Sequence, residues 1–149
     1  MRWPRRTTVV AVWLVQAAVL VGCSLVDEPD PAEWDAQAGK ALQDAASEVR
    51  TTRLALDTAA DERSWSSYTT VLVVQAEDGV ATVADDLAVV QVPPGRQQRA
   101  DEVERLIDGA VAAVREARSL ALRGTYDDPD VVDQLDRLAG DLEQAAGQG

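Results

Sequence analysis

The sequence predicts an all-α fold: an antiparallel up-and-down four-helix bundle behind an N-terminal signal helix. Apolar residues recur every three or four positions through four stretches between residues 31 and 146, the spacing that lines one face of a helix. Clusters of Pro, Gly and Ser separate these stretches by short connections, and short connections make successive helices run antiparallel. At the N-terminus, Arg2, Arg5 and Arg6 precede an apolar run from Val9 to Val21 broken only by Gln16.

That run of about 13 residues fits the roughly 7 to 15 of a secretory signal core and falls short of the ~18 that a membrane-spanning helix needs. Extending it through Thr7, Thr8, Ser24, Leu25 and Val26 reaches about 20 residues, so an uncleaved signal anchor is the competing reading. The sole cysteine, Cys23, separates the two. In an exported chain a lone cysteine forms no internal disulfide and leaves a free thiol in an oxidising compartment.

Leu20-Val21-Gly22-Cys23 resembles the lipobox of bacterial lipoprotein precursors. The resemblance implies a diacylglyceryl group on the Cys23 sulfur, cleavage between Gly22 and Cys23, and a new amino group open to acylation. Two or three acyl chains, at ~0.8 kcal/mol per buried methylene, anchor stably where one is marginal. Arg5-Arg6 is similar to a twin-arginine signal, but Thr7-Thr8-Val9 lacks the bulky residue usual two places on, so the general secretory route is expected. The implied location is the outer face of a cell membrane. The resemblance covers the leader alone.

The expected organisation is therefore a signal over 1–22, an acidic tether over 23–29 and a bundle over 30–149. Asp27 and Glu28 charge the tether, and Pro29 favours an extended chain before it. Seven residues reach at most ~25 Å, which keeps the folded part near the membrane. The net charge is −12 and becomes −15 once Arg2, Arg5 and Arg6 leave with the signal. Nucleic acid and anionic lipid are poor partners for such a body. Richness in Ala, Val, Asp and Arg, with Lys40 the only lysine and no Phe, matches a GC-rich genome and agrees with a lipoprotein of the actinobacterial kind.

The first helix, about 31–62, opens with Asp30 as cap, Pro31 at the first helical position and Glu33 placed to complete a capping box. Its predicted buried face is Trp34, Ala38, Ala41, Ala45, Val49, Thr52, Leu56 and Ala59, and Ser64, Ser66 and Ser67 end it. The second, about 66–91, competes with a hairpin: Tyr68 to Val74 is β-branched, and Glu77-Asp78-Gly79 could turn. Trp65, Tyr68, Leu72, Ala76, Val80, Val83, Leu87 and Val90 keep helical spacing across that turn, so helix is the prediction. Gly79 then costs ~1 kcal/mol relative to alanine and is expected to allow close packing.

Val92-Pro93-Pro94-Gly95 ends the second helix, because two prolines cannot continue it. The third, about 97–123, should bury Val103, Leu106, Ile107, Ala110, Val114, Ala117 and Ala121. Asp101, Glu102 and Glu104 near its start and Arg115, Arg118 and Arg123 near its end are expected to complement the helix dipole, and Gly124 stops it. The fourth, about 129–146, has Asp128 as cap and Pro129 at the first position, and should bury Val131, Leu135, Leu138, Leu142 and Ala145. In this topology Pro93, Pro94 and the C-terminus lie near the bilayer, while Trp65, Tyr68 and Tyr126 gather at the far tip. An alanine-rich core without Phe implies closely spaced helices and little internal space.

Chemistry is argued mainly by exclusion. The chain has no histidine, which removes imidazole acid/base work and His-ligated zinc. Cys23 sits at the anchor, Gln37 rather than serine stands three before Lys40, and no glycine-rich phosphate loop is present. No catalytic, metal-binding or cofactor-binding residue is assigned. Asp127, Asp128, Asp130, Asp133 and Asp136 could offer oxygens to Ca²⁺, but the glycine and terminal glutamate of an EF-hand loop are missing; capping and solvation are the preferred roles. A carboxylate hydrolase would need a sheltered cleft to shift its acids.

Trp65, Tyr68 and Tyr126, flanked by Arg63 and Arg123, form either a partner surface or a plug for the open end of the core, and the plug is preferred. Trp34 is expected in the core at the base. The expected role is a non-enzymatic, lipid-anchored accessory or protein-interaction module with an envelope protein as partner. The alternative is a solute- or cation-binding lipoprotein using surface carboxylates.

Overall fold

The computed structural model describes residues 28–148. The signal segment, Gly22, Cys23 and the tether as far as residue 27 lie outside the described residues, as does Gly149. The chain forms four helices packed together, α1 (Pro31–Ala60), α2 (Ser66–Ala88), α3 (Gln97–Leu122) and α4 (Pro129–Ala146). No strand occurs among the described residues, and α2 runs unbroken through the β-branched stretch and Gly79.

Local chemistry explains the ends. The Asp30 carboxylate accepts from the Ala32 N–H at 2.9 Å, and that of Asp128 accepts from the Asp130 and Val131 N–H groups at 3.1 and 3.3 Å, each satisfying donors that the first turn leaves free. The expected capping box does not form, since Asp30 accepts from the N–H of Ala32 rather than of Glu33 and the Glu33 carboxylate accepts from the Gln37 side chain. Pro93-Pro94-Gly95-Arg96 makes a turn in which Gly95 has φ +83 and the Arg96 N–H donates to the Pro93 carbonyl. Proline second and glycine third are the residues a type II turn demands.

α1 and α3 end alike, and one of them lacks the usual residue. Gly124, at φ +73, and Thr125 donate back to the Ala121 and Leu120 carbonyls, the Schellman pattern. After α1 the same pair of bonds runs from Glu62 to Ala59 and from Arg63 to Thr58, with Glu62 at φ 57. A side chain in that left-handed region costs roughly 1–2 kcal/mol. Glu62→Gly is therefore expected to raise stability by about 0.5–1 kcal/mol, after the greater entropy of unfolded glycine is counted. A higher urea midpoint at constant slope would show it, and a lower midpoint would contradict it.

α1 touches all three other helices and α3 does the same, whereas α2 and α4 do not touch. Small residues fill part of the core: Ala45 of α1 and Ala110 and Ala117 of α3 are fully buried. Being surrounded, α1 buries a face wider than one stripe: Leu42 is fully enclosed, while Ala41, expected in its place, is half-buried. α3 buries all seven residues expected, together with Ala113 and Leu120. In α4, Ala139 is buried and Leu138 is half-buried.

α2 departs most from expectation. Its buried residues are Thr69, Val73, Ala76 and Val80. Ala76 and Val80 are as expected, and Leu72, Val83, Leu87 and Val90 are half-buried against the core. Only in the first half of the helix does the stripe shift by about one residue, from Tyr68 and Leu72 to Thr69 and Val73. Helical geometry starts only at Ser66, with Trp65 extended, and the single Thr69 O–H has two acceptors in reach, the Trp65 carbonyl at 3.4 Å and Ser64 Oγ at 3.2 Å. A small β-branched residue thus occupies the buried position with its polar atom satisfied. Thr52 behaves likewise, donating to the Glu48 carbonyl at 3.0 Å.

The expected dipole pattern of α3 is mostly absent: no acid lies in its first turn and no base in its last, and of the three arginines only Arg123 stands at the C-cap. Arg115 and Arg118 instead clasp Glu77 of α2 at 3.3 and 2.8 Å. Burial alone would raise the Glu77 pKa, but hydrogen bonds and charge from Arg118 and Arg115 together hold it below the usual carboxylate range. Glu48 behaves oppositely. Its carboxyl carbon lies 2.8 Å from where a Cβ on Gly79 would stand, so the close approach expected at Gly79 is made by this side chain. Burial, aided by neighbouring Asp44, raises its pKa.

Opposite pH signatures follow. The stabilisation from Glu77 is present above the carboxylate range and lost as pH falls through its depressed pKa; the penalty from Glu48 is absent at acid pH and sets in as its carboxyl ionises. At neutral pH, Glu77→Gln is expected to cost about 1 kcal/mol, discounted because both guanidiniums reach solvent. Glu48→Gln should add a few tenths of a kcal/mol, within the usual range for partly exposed sites. Urea titrations at neutral and acid pH check both, and effects that stay constant with pH would refute the assignment.

Candidate functional site

The three aromatic residues singled out from the sequence do not share one environment. Trp65 at the start of α2 is 84% exposed and Tyr68 60%, so neither plugs the core. That correction comes from the rotated register of α2, which turns Thr69 and Val73 inward in their place. Val71, also exposed, continues the line three residues further on, giving α2 an outward stripe of Trp65, Tyr68 and Val71. Tyr126, in the α3–α4 connection, packs against the core with its hydroxyl buried and without a hydrogen-bond partner among the described residues; of the three it alone fits the plug. Leu122, at the end of α3, is also exposed. Arg63 pairs with Asp61 at 3.7 Å, and Arg123 is exposed.

The aspartates do not converge. Asp128 caps α4, Asp130 lies in its first turn, Asp136 pairs with Arg53 of α1 at 3.3 Å, and Asp127 and Asp133 are exposed. Among the described residues no group of three or more His, Cys, Asp or Glu side chains is placed to hold a metal ion. None of the described helices is long and apolar enough to cross a membrane.

A feature missed in the sequence lies where α1 starts, α2 ends and α3 starts. Trp34, Leu87, Val90, Val92 and Ile107 line a cleft of about 390 Å³, with Asp85, Glu104 and Asp108 also in its wall. Trp34 is nearly inaccessible, as its core assignment required, and forms part of the floor. The cleft exists because α2 stops at Ala88, about three residues before the expected end, and Val89 to Val92 continue as non-helical chain. Its sequence signal was Glu104 and Asp108, one helical turn apart beside Ile107.

Charges around the cleft are distributed unevenly. Asp35 pairs with Arg96 at 2.6 Å and Glu102 with Arg99 at 3.1 Å. Among the described residues, Asp85, Glu104 and Asp108 make no ion pair and no basic side chain lines the cleft. Compared with known proteins, the chain matches no family model, no curated protein and no solved structure.

Proposed function

We propose that the chain is an exported lipoprotein, cut before Cys23, lipidated on that residue and held at the outer face of a bacterial cytoplasmic membrane. Its helical body acts there as a non-enzymatic accessory or protein-interaction module. The observation that carries this reading is Leu20-Val21-Gly22-Cys23 at the end of an apolar run too short to span a bilayer.

The reading takes the helices as an antiparallel up-and-down bundle, which cross-helix contacts support. Arg99 in the first turn of α3 donates to the Ala145 carbonyl near the end of α4, Arg53 late in α1 meets Asp136 in the first half of α4, and Asp35 early in α1 pairs with Arg96 just before α3. With that topology the α2–α3 turn shares the membrane-proximal base with Pro31. Trp65 and Tyr68 then face away from the bilayer, where a partner would meet them. Trp and Tyr supply much of the energy of protein interfaces, and this stripe has no role in the core.

Affinity capture from mild-detergent envelope extracts tests the interaction role. Wild type is expected to retain an envelope protein that the Trp65→Ala, Tyr68→Ala variant loses, while stability changes by less than about 0.5 kcal/mol, as for exposed sites. Identical capture by both proteins would end the assignment of this surface.

A further inference from the structure

We infer that the cleft between the start of α1, the end of α2 and the start of α3 binds an amphiphilic cation: an ammonium group carrying a short alkyl or aryl body. The inference stands independently of the lipid anchor and of the Trp65 surface. The floor is apolar, built from Trp34, Ile107, Val90 and Val92, and the volume of about 390 Å³ lies in the range of small-molecule sites.

Charge selects the ligand class. Glu104 and Asp108 stand four residues apart on α3, a like-charge spacing that destabilises a helix, and Asp85 of α2 lines the same cleft. No ion pair offsets the three among the described residues, although neighbouring Asp35 and Glu102 are both paired. A divalent ion fits poorly, because Ca²⁺ takes six to eight oxygens and the floor supplies hydrocarbon. An alkylammonium ion matches both halves of the site: its body covers the apolar floor and its charge answers the three carboxylates.

Ile107 is the only isoleucine in the chain, so a ¹³C-labelled Ile δ1 methyl gives one resonance that reports from the floor of the cleft. The full chain in phosphatidylcholine nanodiscs would be titrated with hexyltrimethylammonium, tetramethylammonium and hexanol. The expected result is a saturable shift with hexyltrimethylammonium, half complete at a concentration at least tenfold below that of either other probe. In the Glu104→Gln, Asp108→Asn variant, half-saturation should rise at least threefold while the thermal midpoint without ligand also rises, since like-charge repulsion is removed. No saturable shift, hexanol acting at the same concentration as the cation, or half-saturation unchanged in the variant would each overturn the inference.

Discussion

Leu42→Ala is expected to lower the unfolding free energy by about 2–5 kcal/mol, whereas Leu54→Ala, on the same helix, should change it by less than about 0.5 kcal/mol. The chemistry removed is identical, and only the environment differs. Leu42 is 0% exposed and Leu54 63%. The Leu42 side chain belongs to the continuous core cluster that includes Trp34, Val80, Ile107 and Leu142. Truncation there loses transfer free energy and leaves a cavity that a close-packed core relaxes only partly to fill. For a domain of ordinary stability, about 5–15 kcal/mol, this is a large share of the whole. Urea denaturation of the two variants gives the comparison directly, through midpoint shifts at constant slope. Equal shifts would mean that the buried face of α1 has been placed wrongly.

The other large effect concerns the anchor. In an export-competent bacterial host, intact-mass analysis of the wild type is expected to show a chain that begins at Cys23 and carries diacylglyceryl mass. Cys23→Ala should instead yield a chain that keeps residues 1–22 and carries no lipid. The change is all-or-none because the acceptor is one sulfur atom, and no other cysteine can replace it. Two buried acyl chains, at ~0.8 kcal/mol per methylene, hold a protein at the membrane where a single chain exchanges. Native wild-type polypeptide with Met1 attached and an unmodified Cys23 would remove both the proposed attachment and the location inferred from it.

The electrostatics show how far local rules reach. Acids near the start of α3 and arginines near its end suggested dipole compensation, yet all of these charges except Arg123 at the C-cap lie outside the terminal turns, where the dipole acts most strongly. Arg115 and Arg118 instead pair with Glu77, 38 and 41 positions away in the chain. The cleft was hidden for a related reason. It depends on where α2 stops against α1 and α3, and a difference of about three residues at that end opens a space beside Ile107.

The sequence by itself determined that this chain makes helices, and nearly where they begin and end. Asp30-Pro31, Asp128-Pro129, Pro93-Pro94-Gly95 and Gly124 each act within about one turn, through caps and backbone geometry that need no distant partner. It also determined most of the inward faces of α3 and α4, missing Ala113, Leu120 and Ala139 and placing the half-buried Leu138 too deep, because the many charged residues on their outer surfaces leave the apolar stripe a single orientation. Only the tertiary structure decided the orientation of the first half of α2, whereas Ala76 and Val80 are buried as the periodicity predicted. Val71-Leu72-Val73-Val74 is apolar around more than a full turn, so periodicity cannot rank one rotation above another. The choice falls to what fits against α1 and α3: the small, self-satisfied Thr69 and Val73 go inward, and Trp65 and Tyr68 are left in solvent.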